Sequence, residues 1–165
     1  MFKIYTYKVL DMLQIERSAG AVIFTLNGEP EYLILQYGSG HWDFPRGNIE
    51  KNEKEIEAAK REIFEETGIE ELEFIFGFKE KVKFFYRKKG RNIRKEVIYF
   101  LARSNTKDVK LSFEHKNFKW LPLERALETL TFETSREVLR KAHRYLANLG
   151  IIKEREDKKG DINKS

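Results

Sequence analysis

The stretch that decides the fold runs from Gly47 to Ile69 and reads GNIEKNEKEIEAAKREIFEETGI. It has few turn residues inside and is dominated by glutamate, lysine and alanine, which favour helix. We predict a helix from about Glu53 to Thr67. Asn52 is the expected N-cap, and Gly68 is the residue expected to end the helix.

Three carboxylates lie on one side of this predicted helix. Glu62, Glu65 and Glu66 fall within about 100° of helix surface when residues are placed at 100° each. Like charges at these spacings repel, so the cluster needs a reason. The simpler interpretation is a solvated acidic face, which is what most runs of charge are.

Two neighbouring features favour a functional cluster instead. Ala58 and Ala59 lie one turn earlier, where a purely solvated face has no need of small residues. Arg61 is embedded among the glutamates and could pair with Glu53, two turns back. Convergent carboxylates near a basic segment are the arrangement expected when a divalent cation bridges to phosphate oxygens.

Composition limits the classes of function. The chain has 165 residues, 41% of them hydrophobic and 36% charged, which fits one globular domain with no membrane span. It has no cysteine and only three histidines, so a bound metal should have oxygen ligands. The N-terminus lacks the features of a signal peptide, and we therefore predict a cytoplasmic protein.

The chain divides into a central domain and two short ends. We predict an extension over residues 1–16, a candidate edge strand, then a domain over 17–150 and a charged, disordered tail over 151–165. Within the domain, residues 79–95 carry nine basic side chains and one acidic one. The chain could thus hold cations in one region and anions in another, as a metal-dependent phosphate enzyme would.

The remaining pattern alternates strands and helices. Strands are predicted at Ala19–Leu26, at Glu31–Tyr37, and in a hairpin that turns at KKGRN. Further predicted elements are a strand at Phe118–Leu121, a short helix after Pro122, and a last helix with a capping box at Thr134 and Glu137 that ends near Gly150. The expected architecture is α+β: an α/β/α sandwich with a mixed sheet between helices.

The quoted stretch resembles the Nudix box, G-x5-E-x7-R-E-U-x-E-E-x-G-U, where U is an aliphatic residue. Every fixed position is matched, by Gly47, Glu53, Arg61, Glu62, Ile63, Glu65, Glu66, Gly68 and Ile69. The chain resembles a Nudix hydrolase over about residues 17–148. The resemblance implies the Nudix fold.

The flanking segments are similar to the diadenosine tetraphosphate hydrolases of animal and archaeal type. The pattern HWxxPKGH of those proteins is HWDFPRGN at His41–Asn48 here. Arg46 in place of lysine keeps the charge and adds a fork that can bind two phosphate oxygens. Asn48 in place of histidine removes an imidazole ring from this position.

The resemblance also implies roles for residues. The implied metal ligands are Glu62, Glu65, Glu66, Glu114 and the backbone carbonyl of Arg46, and the implied ion is Mg²⁺ or Mn²⁺. The implied catalytic residues are Glu53, Arg61, Glu62 and Glu66, with Glu53 as the partner that orients Arg61. The residue that takes the proton from the attacking water stays open among Glu53, Glu62, Glu66 and Glu114.

The substrate contacts follow in the same way. Tyr86 and Phe132 correspond to positions where the family stacks adenine, although core packing is the usual role of a phenylalanine. The candidates for binding phosphate are Arg46, Lys83, Lys88 and Lys89. Because alternate residues of a strand face opposite sides, some of these charges must instead be solvated.

The predicted function is metal-dependent hydrolysis of a dinucleoside polyphosphate, most simply diadenosine tetraphosphate, into ATP and AMP. The alternatives are an RNA 5′ end or a nucleoside triphosphate as substrate, and a Nudix module that binds nucleotides without catalysis. A diphosphoinositol is a further alternative substrate within the same chemistry, and a pure nucleic-acid-binding protein is the most remote alternative. The sequence leaves monomer and dimer open.

Overall fold

The computed structural model describes residues 13–153. Eight strands and three helices occur in this part of the chain. The strands are β1 (Gln14–Asn27), β2 (Glu29–Tyr37), β3 (Trp42–Asp43), β4 (Arg46–Asn48), β5 (Leu72–Phe74), β6 (Glu80–Lys88), β7 (Arg91–Ser104) and β8 (His115–Pro122). The helices are α1 (Glu55–Thr67), α2 (Leu123–Thr129) and α3 (Glu133–Asn148).

The sheet is mixed and is organised around β1. β1 and β7 run parallel in an unbroken register from Gln14↔Ile93 to Phe24↔Arg103. The other pairs are antiparallel: β2 and β4 with β1, β3 and β8 with β2, and β5 and β6 with β7. The short β4 therefore places the residues just before α1 against the central strand.

Alternate residues of β1 face two separate hydrophobic cores. Ala21 and Ile23 pack with Ile63 of α1 on one face. Val22 and Phe24 pack on the other face with residues of α2 and α3. Helices thus cover both faces of the sheet, and the predicted α/β/α sandwich is confirmed.

Small residues bring α1 close to the sheet. Ala58 and Ala59 are fully buried and form a cluster with Ala19 of β1. Because these side chains are single methyl groups, the helix axis can approach the strand more closely than leucine would allow. The small residues noted in the sequence therefore fix the position of the glutamates that follow one turn later.

The helix ends differ partly from the prediction. Helix α1 begins at Glu55 with Lys54 as N-cap, whereas Asn52 has a left-handed φ of 65° and lies in the preceding turn. The predicted N-cap at Asn52 is wrong, because an N-cap residue has an extended backbone, as Lys54 does and Asn52 does not. The predicted end at Gly68 is confirmed, since Gly68 is left-handed (φ 72°) and donates its N–H to Phe64.

The start of α3 also differs. Helix α3 begins at Glu133 with Phe132 as N-cap, so the capping box predicted at Thr134 and Glu137 is wrong. Thr134 already lies in the first turn. The observed start leaves the ring of Phe132 outside the helix, facing a cavity described below.

The hairpin and the chain ends complete the comparison. The β6–β7 hairpin turns at Lys89 and Gly90, both left-handed, as the KKGRN signal predicts. Residues 14–16, which the sequence placed in an N-terminal extension, continue β1. The predictions for residues 1–12 and 154–165 lie outside the described residues. Within residues 13–153, no helix has both the length and the hydropathy to cross a membrane.

Candidate active site

An acidic cavity of about 370 Å³ lies where α1 meets β4. Its carboxylates come from two places in the chain: Glu62, Glu65 and Glu66 from α1, and Glu114 from the loop before β8. Much of the remaining wall is formed by Arg46, Gly47, Asn48 and Lys95. The structure therefore brings together the four glutamates that the sequence predicted as metal ligands.

Gly47 allows β4 to lie directly against the glutamates. A Cβ atom at this position would lie 2.0 Å from Oε2 of Glu62, closer than any side chain can tolerate. On the other side, a Cβ at Gly20 of β1 would lie 2.1 Å from the carbonyl oxygen of Pro45. These two glycines let the Pro45–Gly47 backbone pass between the central strand and the carboxylate of Glu62.

Glu66 is the most deeply buried of these carboxylates, with 5% of its surface exposed. Its Oε2 accepts the backbone N–H of Arg46 at 3.1 Å. Burial, together with the nearby charge of Glu62, raises the pKa of Glu66 to about 9. Nε2 of His115 lies 3.8 Å from Oε1 of Glu66 and has no hydrogen-bond partner among the described residues.

Arg61 organises the outer part of the cluster. Its Nε and Nη2 donate to the two carboxylate oxygens of Glu53, at 2.8 and 2.9 Å. Nη1 donates to Oε1 of Glu62 at 2.9 Å and to Glu65 at 3.3 Å. The paired guanidinium lowers the pKa of Glu53 to about 2. Burial outweighs the guanidinium at Glu62 and raises the pKa of that carboxyl.

The donor set fits a divalent cation of the magnesium type. All of its charged donors are carboxylate oxygens, and burial is the main reason that the pKa values of Glu62 and Glu66 are raised. A bound cation would stabilise the charged forms of both groups. Among residues 13–153, no three such groups are already arranged around one point. Hydrogen bonds from Arg61 to Glu62 and Glu65 hold these side chains in other directions, so the cluster needs side-chain rotation to enclose an ion.

The loop that carries Glu114 is fixed to the end of α1. The N–H groups of Lys110 and Ser112 donate to the carbonyls of Thr67 and Glu66, at 2.9 and 3.2 Å. The carbonyl of Glu114 accepts the N–H of Gly38 at 3.0 Å. Glu114 therefore reaches the cavity from a backbone that is tied on both sides.

A second cavity, of about 430 Å³ and mostly apolar, adjoins the acidic one. The rings of Phe84 and Phe132 line it, together with His41 and with Val82, Val97 and Tyr99. Arg46 lines both cavities, so they are neighbours along the surface. An apolar cavity with aromatic walls suits a planar base.

Arg46 is held between the two cavities. Its Nη2 lies 3.2 Å from Oδ2 of Asp43, and Oδ1 of Asp43 accepts the hydroxyl of Ser135 at 2.8 Å. Its Nε has no hydrogen-bond partner among the described residues. A partly buried guanidinium with an unused donor is suited to bind an anionic group that enters from either cavity.

Comparison with known proteins agrees with this arrangement. Residues 15–142 match the NUDIX domain family. The chain belongs to the Nudix family. The predictions of Nudix membership, Nudix fold and enzyme class are confirmed.

Individual Nudix relatives extend the agreement. The chain is similar to bis(5′-nucleosyl)-tetraphosphatase [asymmetrical] of Rattus norvegicus, with 36% identity over 80% of this chain and 96% of the relative. It is also similar to the crystal structure of a C. elegans Ap4A hydrolase binary complex, with 38% identity, a TM-score of 0.72, and coverage of 81% and 98%. A shorter match joins it to the RNA pyrophosphohydrolase of Bartonella tribocorum, 44% identical over 47% of each chain.

Several predicted substrate residues of this Nudix domain lie outside the two cavities. The hydroxyl of Tyr86 donates to Oε2 of Glu16 at 2.6 Å, whereas Phe84, two residues earlier, lines the apolar cavity together with Phe132. Lys83 lies 3.8 Å from Glu96 on the opposite face of the hairpin. Lys88 and Lys89 are exposed at the hairpin tip.

Lys95 is the basic residue that the sequence analysis missed. Its Nζ lies 3.2 Å from Oδ1 of Asn48 and 3.5 Å from Oε2 of Glu16, and its side chain is 12% exposed. Burial lowers its pKa. The signal for this position was strand alternation, because Lys95 shares its face of β7 with Val97 and Tyr99, which line the apolar cavity.

Proposed function

We propose that this Nudix hydrolase cleaves diadenosine tetraphosphate asymmetrically into ATP and AMP, with Mg²⁺ or Mn²⁺. The observation that supports the proposal is that Arg46 lines both the acidic cavity and the aromatic cavity, so that the two adjoin. A phosphate chain needs cations, and a purine base needs an apolar, planar environment. The two full-length relatives named above support the same substrate class by their names.

We assign the ligands of the divalent cation to Glu62, Glu65, Glu66 and Glu114, with the backbone carbonyl of Arg46. When bound, the cation would neutralise the charge of the phosphate oxygens and make water more acidic. Glu66 supports this assignment, since among residues 13–153 no cationic side chain lies within hydrogen-bonding distance of its buried carboxylate.

We assign Glu53 and Arg61 to orientation. Both oxygens of Glu53 already accept hydrogen bonds from Arg61, and its pKa of about 2 makes it a poor proton acceptor near neutral pH. The proton of the attacking water then goes to a carboxylate in the cavity wall: Glu62, Glu66 or Glu114. Arg61 donates to Oε1 of Glu62, and Gly47 lies directly beside the same carboxylate.

We assign base stacking to Phe84 and Phe132 rather than to Tyr86, because the first two line one cavity and Tyr86 binds Glu16. We assign phosphate binding to Arg46 and Lys95. The exposed Lys88 and Lys89, together with Lys83, are then left to long-range attraction of the anionic substrate, which is sensitive to salt.

The test is turnover of diadenosine tetraphosphate by the purified chain, with products separated by anion-exchange chromatography. We expect equimolar ATP and AMP in the presence of Mg²⁺ and loss of turnover in EDTA. Two molecules of ADP would overturn the asymmetric cleavage. No metal-dependent turnover at all would favour a binding module without catalysis.

An RNA 5′ end is a second substrate that we propose to test. The β6–β7 hairpin exposes basic side chains, including Arg87, Lys88, Lys89 and Arg91, that could contact an RNA backbone, and the shorter match is to an RNA pyrophosphohydrolase. Assaying a 5′-triphosphate RNA in parallel with diadenosine tetraphosphate distinguishes the two substrates. If these side chains bind the RNA backbone, cleavage of the RNA should fall steeply as the salt concentration rises. A cytoplasmic location remains our proposal from the sequence.

A further inference from the structure

Phe113 is the most exposed large hydrophobic residue of those described, with 98% of its surface accessible. It directly precedes Glu114, whose carboxylate lines the acidic cavity. A single exposed phenylalanine needs no explanation by itself. Its place beside a residue of the candidate metal site is what gives it significance.

The backbone around Phe113 is held in place. On one side, Ser112 donates its N–H to the backbone carbonyl of Glu66 in α1 at 3.2 Å. On the other side, the backbone carbonyl of Glu114 accepts the N–H of Gly38 at 3.0 Å. The hydroxyl of Ser112 also lies 3.0 Å from Nδ1 of His115. The ring of Phe113 is therefore presented from a fixed backbone, so ordering it on a ligand costs little loop entropy.

The order of groups along the surface suggests what the ring contacts. The aromatic cavity with Phe84 and Phe132 meets the acidic cavity at Arg46. Glu114 lines the acidic cavity but not the aromatic one. A phosphate chain that binds across these carboxylates therefore lies against the loop that carries Glu114 and Phe113.

We propose that Phe113 is a stacking platform for the second nucleobase of a dinucleoside tetraphosphate. This inference rests on the proposed function, because only a substrate with a base at each end of the phosphate chain can use both sites. Stacking on an aromatic ring accepts any base, since every base offers a flat face. Phe113 would then select substrates with two nucleosides over those with one.

The chain offers a matched control. Phe76 is 96% exposed and lies in the loop between β5 and β6, where its carbonyl accepts the hydroxyl of Tyr145 at 2.6 Å. Its chain neighbours Ile75 and Gly77 line neither cavity, whereas Glu114, the neighbour of Phe113, lines the acidic one. Phe76→Ala therefore removes an equally exposed ring without removing a ring from beside the candidate site.

The experiment compares diadenosine tetraphosphate with adenosine 5′-tetraphosphate, which has the same phosphate chain and one base. We expect Phe113→Ala to raise KM for the two-base substrate about five- to tenfold with little change in kcat. For the one-base compound, KM, or its inhibition constant if it is not cleaved, should change less than about twofold. Phe113→Trp should restore the wild-type KM, and Phe76→Ala should leave both compounds unaffected.

The outcomes separate this inference from the proposed function. If the wild-type protein cleaves diadenosine tetraphosphate and Phe113→Ala matches it, only the stacking role is overturned. Equal losses on both compounds would also overturn it, because they would indicate a displaced Glu114. If the wild-type protein has no metal-dependent turnover, the proposed function fails and the inference fails with it.

Discussion

Arg61 and Glu53 are joined by two nearly parallel hydrogen bonds, from Nε and Nη2 to the two carboxylate oxygens at 2.8 and 2.9 Å. The third nitrogen of the same guanidinium donates to Glu62 at 2.9 Å. A residue outside the acidic cavity thus fixes the direction of a carboxylate inside it. This relationship explains why the sequence places an arginine among glutamates two turns from Glu53.

The first prediction concerns this fork. Arg61→Lys keeps the charge but cannot donate to Glu53 and Glu62 with the same geometry. We expect kcat for diadenosine tetraphosphate to fall about 10- to 100-fold, because small displacements of positioned groups cost this much. Arg140→Lys on α3, where Arg140 pairs with Glu133 and Glu137, is the control. Unchanged kcat in Arg61→Lys would contradict the orienting role.

A second prediction follows from the raised pKa of Glu66, about 9 against an ordinary 4.5. Between those pH values the folded state binds more protons than the unfolded state, so this group makes stability fall as pH rises. In EDTA, Glu66→Gln should therefore melt at a higher temperature than wild type at pH 8, and the gap should close near pH 5. At this chain length, ~1 kcal/mol corresponds to about 2–4 °C. A lower melting temperature at pH 8 would contradict the prediction.

The third prediction concerns stabilisation of the folded protein by the bound cation. Mg²⁺ at about 100 times its Kd stabilises a protein that binds it only when folded by ~2.7 kcal/mol. We expect the melting temperature of the wild type to rise on addition of Mg²⁺ and that of Glu65→Gln to rise much less. Glu70→Gln, at an exposed glutamate just beyond α1 that does not line the acidic cavity, should respond like wild type. An equal rise in all three proteins would place the ion elsewhere.

Base stacking gives the fourth prediction. Phe84→Ala and Phe132→Ala should each weaken binding of diadenosine tetraphosphate by ~1–3 kcal/mol, which raises KM about 5- to 150-fold. Tyr86→Ala removes a ring that lines neither cavity, so its effect on KM should be small. Steady-state kinetics of the three variants decide between Phe84 and Tyr86. A large rise in KM for Tyr86→Ala, with none for Phe84→Ala, would restore Tyr86 as the residue that stacks on the base.

Lys95 gives the fifth prediction. Lys95→Met removes a half-buried positive charge from the wall of the acidic cavity and should raise KM about tenfold at low salt. Lys89→Met at the hairpin tip removes the same charge from an exposed turn and should have an effect that salt abolishes. If both variants lose affinity equally, and equally at high salt, Lys95 has no special role.

Local signals were enough to predict the helix, the glutamate cluster and the Arg61–Glu53 pair. All three depend on spacing within one segment, which a helix converts directly into geometry. Glu114 came from resemblance rather than from spacing, because the hydrogen bonds that bring its loop to α1 join residues far apart in sequence.

The substrate-binding residues were harder to predict, because most of them lie on strands, where the pattern of alternation does not identify a single residue. Phe84 and Tyr86 share one face of β6, so alternation alone does not say which ring meets Phe132. For the lysines, the prediction depends on the exact position, because neighbouring residues of a strand face opposite sides of the sheet. Lys83 therefore pairs with Glu96 on the far face, whereas Lys95 reaches the cavity.

The carbonyls of Glu66 and Thr67, at the last turn of α1, are the acceptors for the loop that holds Phe113 and Glu114. Local unfolding that frees this loop also breaks two hydrogen bonds at the end of α1. The loop and the helix end therefore belong to one cooperative unit. We therefore expect entry of a polyphosphate and release of its fragments to depend on side-chain rotation rather than on opening of this loop.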